Sequence, residues 1–364
     1  MSLVLPRIPE IDRGAVEAAR ARQKSLTKPP GSLGRLEELA IWYAGARGRF
    51  PVPVPEHVEL FVFAADHGVT AEGVSAYPTS VTAAMVQNFR AGGAAINVLA
   101  REARIGLTVV DVGIAGDGSE GPPAIASPGV ALGAKYVAAR VRPGTANLRR
   151  EPAMSRAEAV TALEVGFAMA EAAAGRATDL LVAGDMGIGN TTAASALVCA
   201  FGGNDPADVV GRGTGIDDTA LARKIEVVRD ALRLHRPNSG DPIGALAAVG
   251  GLEMAALTGL FLGGAARRIP VVVDGFIASA AALAAMRLAP AVRPYLLLSH
   301  MSAEPGARRA CELLGPPAPL LDLGMRLGEG TGAALAVPLL RAAVAAQNQM
   351  ATFERAGVAE KLPA

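Results

Sequence analysis

The sequence predicts an α/β protein: a doubly wound parallel sheet of about six strands with a second, small helical domain. Three observations carry that expectation. Short β-rich apolar runs alternate with alanine-rich helical stretches through the middle of the chain, the pattern of a parallel sheet flanked by helices. Each run closes on a turn bearing glycine or a polar residue. The two chain ends, by contrast, contain no strand-like run.

In chain order, about fifty helical residues come first. The strand runs are then placed at 58–64, 107–112, 179–183, 270–273, 295–298 and 319–323. The residues that follow them are Asp66-His67-Gly68, Gly113, Gly184-Asp185-Met186-Gly187, Asp274-Gly275, Ser299-His300 and Gly324-Met325-Arg326. Polar and glycine residues therefore gather where open α/β sheets bind ligands, at the carboxyl ends of the strands. Residues 245–266 approach the length of a bilayer span. They carry Glu253 and run straight into the strand-like IPVVVD, so a buried core helix is expected instead. Residues 1–50 and 334–364 are expected to pack together as the small helical domain, leaving 51–333 as a large α/β catalytic domain.

Composition narrows the partners. Lys plus Arg (35) nearly cancel Asp plus Glu (34), so no broad positive field exists to attract nucleic acid or an anionic membrane, and a small-molecule partner is expected. Cys199 and Cys311 lie in apolar helical contexts without CxxC or Cys/His neighbours, which argues against a disulfide framework and a zinc site. They read as reduced, buried thiols. The N-terminus lacks a charged region followed by a long apolar stretch, so no signal peptide is expected and the protein reads as cytoplasmic.

Three glycine loops could carry chemistry. The first, AGDMGIGNTT at 183–192, leaves a strand and enters a helix at Asn190 or Thr191, both good N-caps. Gly187, Ile188 and Gly189 let successive backbone N–H groups converge on an anion, and the helix adds its own unpaired N–H groups. The same residues also suit an ordinary strand-to-helix turn, and the loop is neither a Walker loop nor GxGxxG. The second, GRGTGIDD at 211–218, precedes a helix that carries Lys224 about two turns in. That lysine could reach an anion on the first loop or be a solvated helix residue. The third, LGEGTG at 327–332, holds Glu329 between glycines. Such a carboxylate suits a general base with raised pKa, or simply favours the N-terminus of the helix that follows. Asp274 could bind a ribose hydroxyl or cap a helix, and its neighbours favour the site role. His67 and His300 have no metal-spaced partner and read as hydrogen-bonded turn residues.

In order and spacing these motifs resemble the nicotinate-nucleotide–dimethylbenzimidazole phosphoribosyltransferase family. The likeness runs through LTKPPGSLGRL at 26–36, ADHGV at 65–69, YPTSVT at 77–82, GAAIN at 93–97, the three glycine loops, DGFI at 274–277 and SHMSAEPG at 299–306. It implies a Rossmann-like large domain, a small helical domain from both chain ends, and a homodimer with active sites near the subunit interface. It implies an enzyme of cobalamin biosynthesis that moves the phosphoribosyl group of nicotinate mononucleotide to 5,6-dimethylbenzimidazole, without cofactor or metal. Carried over by motif, Glu329 is the catalytic base. Gly187, Ile188, Gly189, Asn190 and Lys224 surround the ribose phosphate, with Thr191 in the same loop. Leu327 and the 77–87 segment, with Ser80, Met85 and Gln87, belong to the benzimidazole pocket. Asp185 stands where the family pattern more often has Glu, a shorter second catalytic carboxylate, and Ala307 stands where it has His.

The chemistry fits these residue types. The pyridinium of nicotinate mononucleotide can depart as a neutral ring without an acid, so activation of the acceptor by a base is what remains. Two other classes compete: a phosphotransferase using the glycine loops for ATP, for which no magnesium ligand set is apparent, and a noncatalytic nucleotide-binding relative, against which Glu329 in its glycine setting argues.

Overall fold

The computed structural model describes residues 4–116 and 133–359; parts of both ends assigned to the small helical domain, residues 1–3 and 360–364, lie outside them. Six strands, β1 (Val58–Ala65), β2 (Gly106–Gly113), β3 (Lys135–Ala138), β4 (Leu180–Met186), β5 (Val271–Val273) and β6 (Leu296–Leu298), form one sheet in the order β3-β2-β1-β4-β5-β6. Every pairing is parallel. The chain runs outward from β1 to β3 and then returns to β4 on the other side of β1. The crevice at the carboxyl ends of β1 and β4 is therefore the topological switch point, where such sheets hold ligands.

The helices in chain order are α1 (Arg13–Ser25), α2 (Arg35–Arg47), α3 (Val81–Ala91), α4 (Ala95–Glu102), α5 (Arg156–Gly175), α6 (Asn190–Gly202) and α7 (Pro206–Val209). They continue with α8 (Asp218–His235), α9 (Pro242–Val249), α10 (Leu252–Ala266), α11 (Phe276–Leu288), α12 (Pro305–Leu314), α13 (Thr331–Gln349) and α14 (Phe353–Ala356). Successive residues of β1 alternate between two cores, as strand geometry requires. Phe61, Phe63 and Ala65 face the core built with α5, α6, α10 and α11, while Leu60, Val62 and Ala64 face the one built with α2, α4 and α13. Burial on both faces explains why β1 reads as a continuous apolar run rather than an alternating one.

The two chain ends meet. Helices α1 and α2 pack on each other and on α13. Thr27 N–H donates to the Ala351 carbonyl, and Gln23 Nε2 donates to Gln347 Oε1 at 3.0 Å between buried side chains. Helix α13 also lies on β4 and β5, so it joins the helical end unit to the sheet.

Four expectations need correction. Residues 319–323 are not a strand: Leu320 and Leu321 N–H donate to the Leu298 and Ser299 carbonyls, but the pairing amounts to a single bridge, His300 to Leu321, and Pro316, Pro317 and Pro319 have no N–H to extend it. The sixth strand is instead β3, a four-residue, partly exposed edge strand too short to register as an apolar run. Tyr295 ends a 3-10 turn, and β6 starts at Leu296. Residues 245–266 form two helices, α9 and α10, separated at Gly250–Gly251; α10 is buried along all but its last residue. Among the described residues no helix is long and apolar enough to cross a membrane. Both cysteines are free, Cys199 buried and Cys311 half-buried rather than buried.

Candidate active site

The loop leaving β4 enters α6 through Gly189, whose φ of 95° makes it the N-cap; Asn190 is already helical rather than capping. At Gly187 a Cβ would stand 2.4 Å from the Ala65 carbonyl oxygen, so only glycine lets the loop pass β1 this closely. Ile188 N–H donates to Thr82 Oγ1 at 3.1 Å. Asn190 Nδ2 donates to Asp185 Oδ2 at 3.0 Å. Thr191 Oγ1 accepts from Lys224 Nζ at 2.7 Å, and the same ammonium reaches the Gly211 carbonyl at 3.0 Å. Lys224 is fully buried beneath the loop, and that desolvation lowers its pKa to about 8, opposed by the nearby Glu304.

The third loop is built differently. Gly328, Glu329 and Gly330 have φ of 80°, 63° and 85°, three consecutive left-handed residues. For glutamate this conformation is strained by roughly 1–3 kcal/mol, the kind of cost concentrated at functional sites. Glu329 N–H donates to the Asp185 carbonyl at 3.2 Å, and Thr331 Oγ1 donates to the Gly328 carbonyl at 2.8 Å. The Glu329 side chain is 4% exposed, and its Oε2 is buried with no hydrogen-bond partner among the described residues. Burial pushes its pKa up to about 7; the backbone N–H of Ile96, at the start of α4, works the other way, and the negative Asp274 adds to the rise.

These loops face one cavity of about 470 Å³ at the carboxyl end of the sheet. Its wall brings together Met85, Asp185, Gly187, Ile188, Gly189, Asn190, Thr191, Leu327 and Glu329 from the expected set. Four expected residues are not part of the wall. Lys224 lies under the first loop. Ser80 precedes α3 without a side-chain capping bond. Gln87 accepts from Arg90 at 3.2 Å. Asp274 is buried beneath the third loop, accepting from Gly330 N–H at 3.1 Å and Ala333 N–H at 2.9 Å.

The wall also includes Tyr77, from the segment expected to hold the benzimidazole, and Phe276, His300, Ser302, Glu304 and Arg326, to which sequence reasoning assigned no catalytic or binding role. Glu304 Oε1 accepts from Gly213 N–H at 3.0 Å, and Arg326 donates to the Gly213 carbonyl at 2.6 Å, so the second loop is tied to the third. The signal for His300, Ser302 and Glu304 was the polar SHMSAEPG stretch after a strand, recognisable by its position though not by its roles. His67 is paired below the first loop, its Nε2 2.9 Å from Glu253 Oε1 with both side chains fully buried. Burial alone would lower its pKa, but the Glu253 charge and hydrogen bond outweigh it and raise it.

Asp185, Glu253, Asp274, Glu304 and Glu329 are all buried in this region. Like charges in a dry site resist simultaneous ionisation. Burial, with the charges of Asp274 and Glu253 behind it, holds the Asp185 carboxyl well above the usual range despite its bond from Asn190. Among the described residues no group of three or more His, Cys, Asp or Glu side chains is arranged to hold a metal ion.

A doubly wound parallel sheet, a glycine loop shaped for an anion at its switch point and a poised carboxylate on the same cavity define a nucleotide-handling group-transfer enzyme. Comparison with known proteins narrows the class. The chain belongs to the phosphoribosyltransferase family whose sequence model, described as DBI_PRT: Phosphoribosyltransferase, matches residues 8–358. It is 50% identical over 353 residues to the nicotinate-nucleotide–dimethylbenzimidazole phosphoribosyltransferase of Salinispora tropica, covering 96% of this chain and 97% of the relative. It is 53% identical over 351 residues to the protein of the same name from Chromobacterium violaceum, covering 96% and 98%. The crystal structure of CobT from Thermus thermophilus superposes with a TM-score of 0.87 at 47% identity, covering 96% of this chain and all of that one. The family read from the motifs is thus the family found, and the ATP phosphotransferase reading falls.

Proposed function

We propose that this chain transfers the phosphoribosyl group of nicotinate mononucleotide to 5,6-dimethylbenzimidazole, releasing nicotinate and forming α-ribazole 5′-phosphate for cobalamin biosynthesis. The observation that carries this reading is Glu329: a carboxylate on the cavity wall, with a pKa raised to about 7 and an unpartnered Oε2. A base of that affinity is matched to a neutral-pH proton transfer. Glu329 takes the N–H proton of the benzimidazole, and the other ring nitrogen attacks C1 of the ribose. The bond from C1 to the pyridinium breaks, its electron pair returning to the nicotinate ring nitrogen, and the anomeric centre inverts.

The backbone of residues 187–191 orients the 5-phosphate, with Lys224 placing positive charge behind Thr191. Asp185 is the second carboxylate, joined to the base through its own carbonyl. Met85 and Leu327 flank the acceptor, and Ser80 and Gln87 belong to the same segment as Met85. We assign residues 1–50 and 334–364 to a small helical domain and 51–333 to the catalytic domain, supported by the contacts of α1, α2 and α13. A cytoplasmic homodimer is the assembly we propose. Tyr77 and Leu327, exposed on the cavity wall, give it apolar contact points beside the site.

The test is to incubate chelator-treated protein with both substrates and follow α-ribazole 5′-phosphate and nicotinate by chromatography, beside Glu329→Gln. Stoichiometric product that the variant largely loses supports the reading. Binding of either substrate without product moves the noncatalytic reading ahead.

A further inference from the structure

Helix α13 begins at Gly330, a residue with no side chain to cap it, immediately after Glu329. A helix start leaves backbone N–H groups that need partners. Here two of them are met from another element: Asp274, the residue after β5, accepts Gly330 N–H on Oδ2 and Ala333 N–H on Oδ1. Asp274 is 1% exposed, and each of its carboxylate oxygens faces the amide of a helix start. His300 lies beside it, with Nδ1 3.7 Å from Oδ1. On the opposite side of the loop, a Cβ on Gly184 would meet the Glu329 carbonyl oxygen at 2.8 Å and Gly330 N at 3.0 Å. The strained left-handed backbone at Glu329 is therefore gripped between β4 and the residue that ends β5, two strands that pair with each other.

We propose that Asp274 is a positioning residue that fixes the Glu329 loop against the sheet, and not a ligand of the ribose. The inference rests on Glu329 being the base. Strand β4 leads directly into the glycine loop, and β5 leads into the clamp on Glu329. Register between two neighbouring strands thus sets where the base stands relative to the bound phosphoribosyl group. A strained conformation persists only when its surroundings over-determine it, and Asp274 supplies two of the bonds that do so. A displacement of about 1 Å at such a group costs on the order of a hundredfold in rate.

The experiment is a double-mutant cycle with Asp274→Asn and Glu329→Gln, measuring kcat, the KM for each substrate and the Kd of nicotinate mononucleotide, with circular dichroism and thermal melts on each protein. Asparagine keeps one acceptor and puts an NH₂ against the other amide. We expect Asp274→Asn to lower kcat at least 30-fold with the nucleotide KM and Kd within threefold, and to add less than threefold in the Glu329→Gln background, since residues acting as one unit are not additive. The charge-retaining Asp274→Glu should show the same pattern. A tenfold or larger rise in nucleotide Kd, or losses that multiply across the cycle, would make Asp274 a substrate ligand and overturn the proposal. So would a wild-type kcat in Asp274→Asn, or failure of both Asp274 variants to fold, which would make the residue a determinant of the fold. Wild-type activity in Glu329→Gln would instead overturn the base assignment, which separates the two failures.

Discussion

Two of the glycine loops that face the cavity, 187–189 and 328–330, are alike in composition and opposite in use. The first carries no ionisable side chain. Its glycines bring the backbone against β1 and place the N-terminus of α6 on the cavity wall, a positive setting with Lys224 behind it. The second uses its glycines to hold a charged residue in a conformation that glutamate resists, among Asp185 and Asp274, a negative setting. Glycine thus serves close approach in one loop and the left-handed backbone of its neighbour in the other. The contrast separates binding from chemistry: the first loop should govern nucleotide affinity, the second the rate of transfer.

The largest test of that separation is Glu329→Gln, expected to lower kcat by about 10²–10⁴-fold while leaving the nucleotide KM within a few-fold. If KM moved instead, the two loops would share one function. The same residue sets the pH dependence. Its pKa is raised, so the base is lost to protonation as pH falls through about 7, and kcat/KM should rise with pH through that value and level off above it. A flat profile from pH 5 to 9 would remove Glu329 from the rate-limiting proton transfer. Stability should run the other way, because an acid with a raised folded-state pKa disfavours the fold once it ionises. Above about pH 7, Glu329→Gln should be more stable than wild type in thermal melts, by at most about 3 kcal/mol, with the difference declining as pH falls from 7 and gone below 4.5.

Gly187→Ala acts on the other loop. Its Cβ meets the Ala65 carbonyl at 2.4 Å, so the loop must shift, and the nucleotide KM should rise on the order of tenfold with a smaller change in kcat. A kcat effect larger than the KM effect would break the contrast from the first loop's side. The smallest expected change is Leu327→Ala: the residue is 57% exposed at the mouth, so only the benzimidazole KM should increase, by about two- to fivefold.

Particular residues show how far local reading reaches. Glu329 was legible because a carboxylate between two glycines before an alanine-rich helix is an unusual local pattern, and the structure puts it on the cavity wall. The order of Asp66, Gly187, Asp274 and His300 after successive strands was legible because parallel sheets gather their strand ends at one edge. Glu304 was not assigned a role, since its bond to Gly213 joins residues 91 positions apart. Residues 319–323 misled because an apolar run after prolines looks the same whether its pairing extends into a ladder or stops, as here, at a single bridge just past β6. Strand β3 was missed for the converse reason: its partner β2 makes it a strand, not its own four residues.

By itself the sequence determined the parallel architecture, the carboxyl-edge location of the site, the glycine loops and the family, because periodicity, turn chemistry and motif order are properties of neighbouring residues. Only the tertiary structure decided which groups are dry and what each faces. Lys224 reads as an ordinary helix lysine until packing buries it under Thr191, and Asp274 reads as a ribose ligand at a strand end until β5 delivers it to the first turn of α13. The proton affinity of Glu329 arises in the same way, from desolvation and from a charge 55 positions away in sequence. Both depend on the distance between residues remote along the chain, which only packing sets.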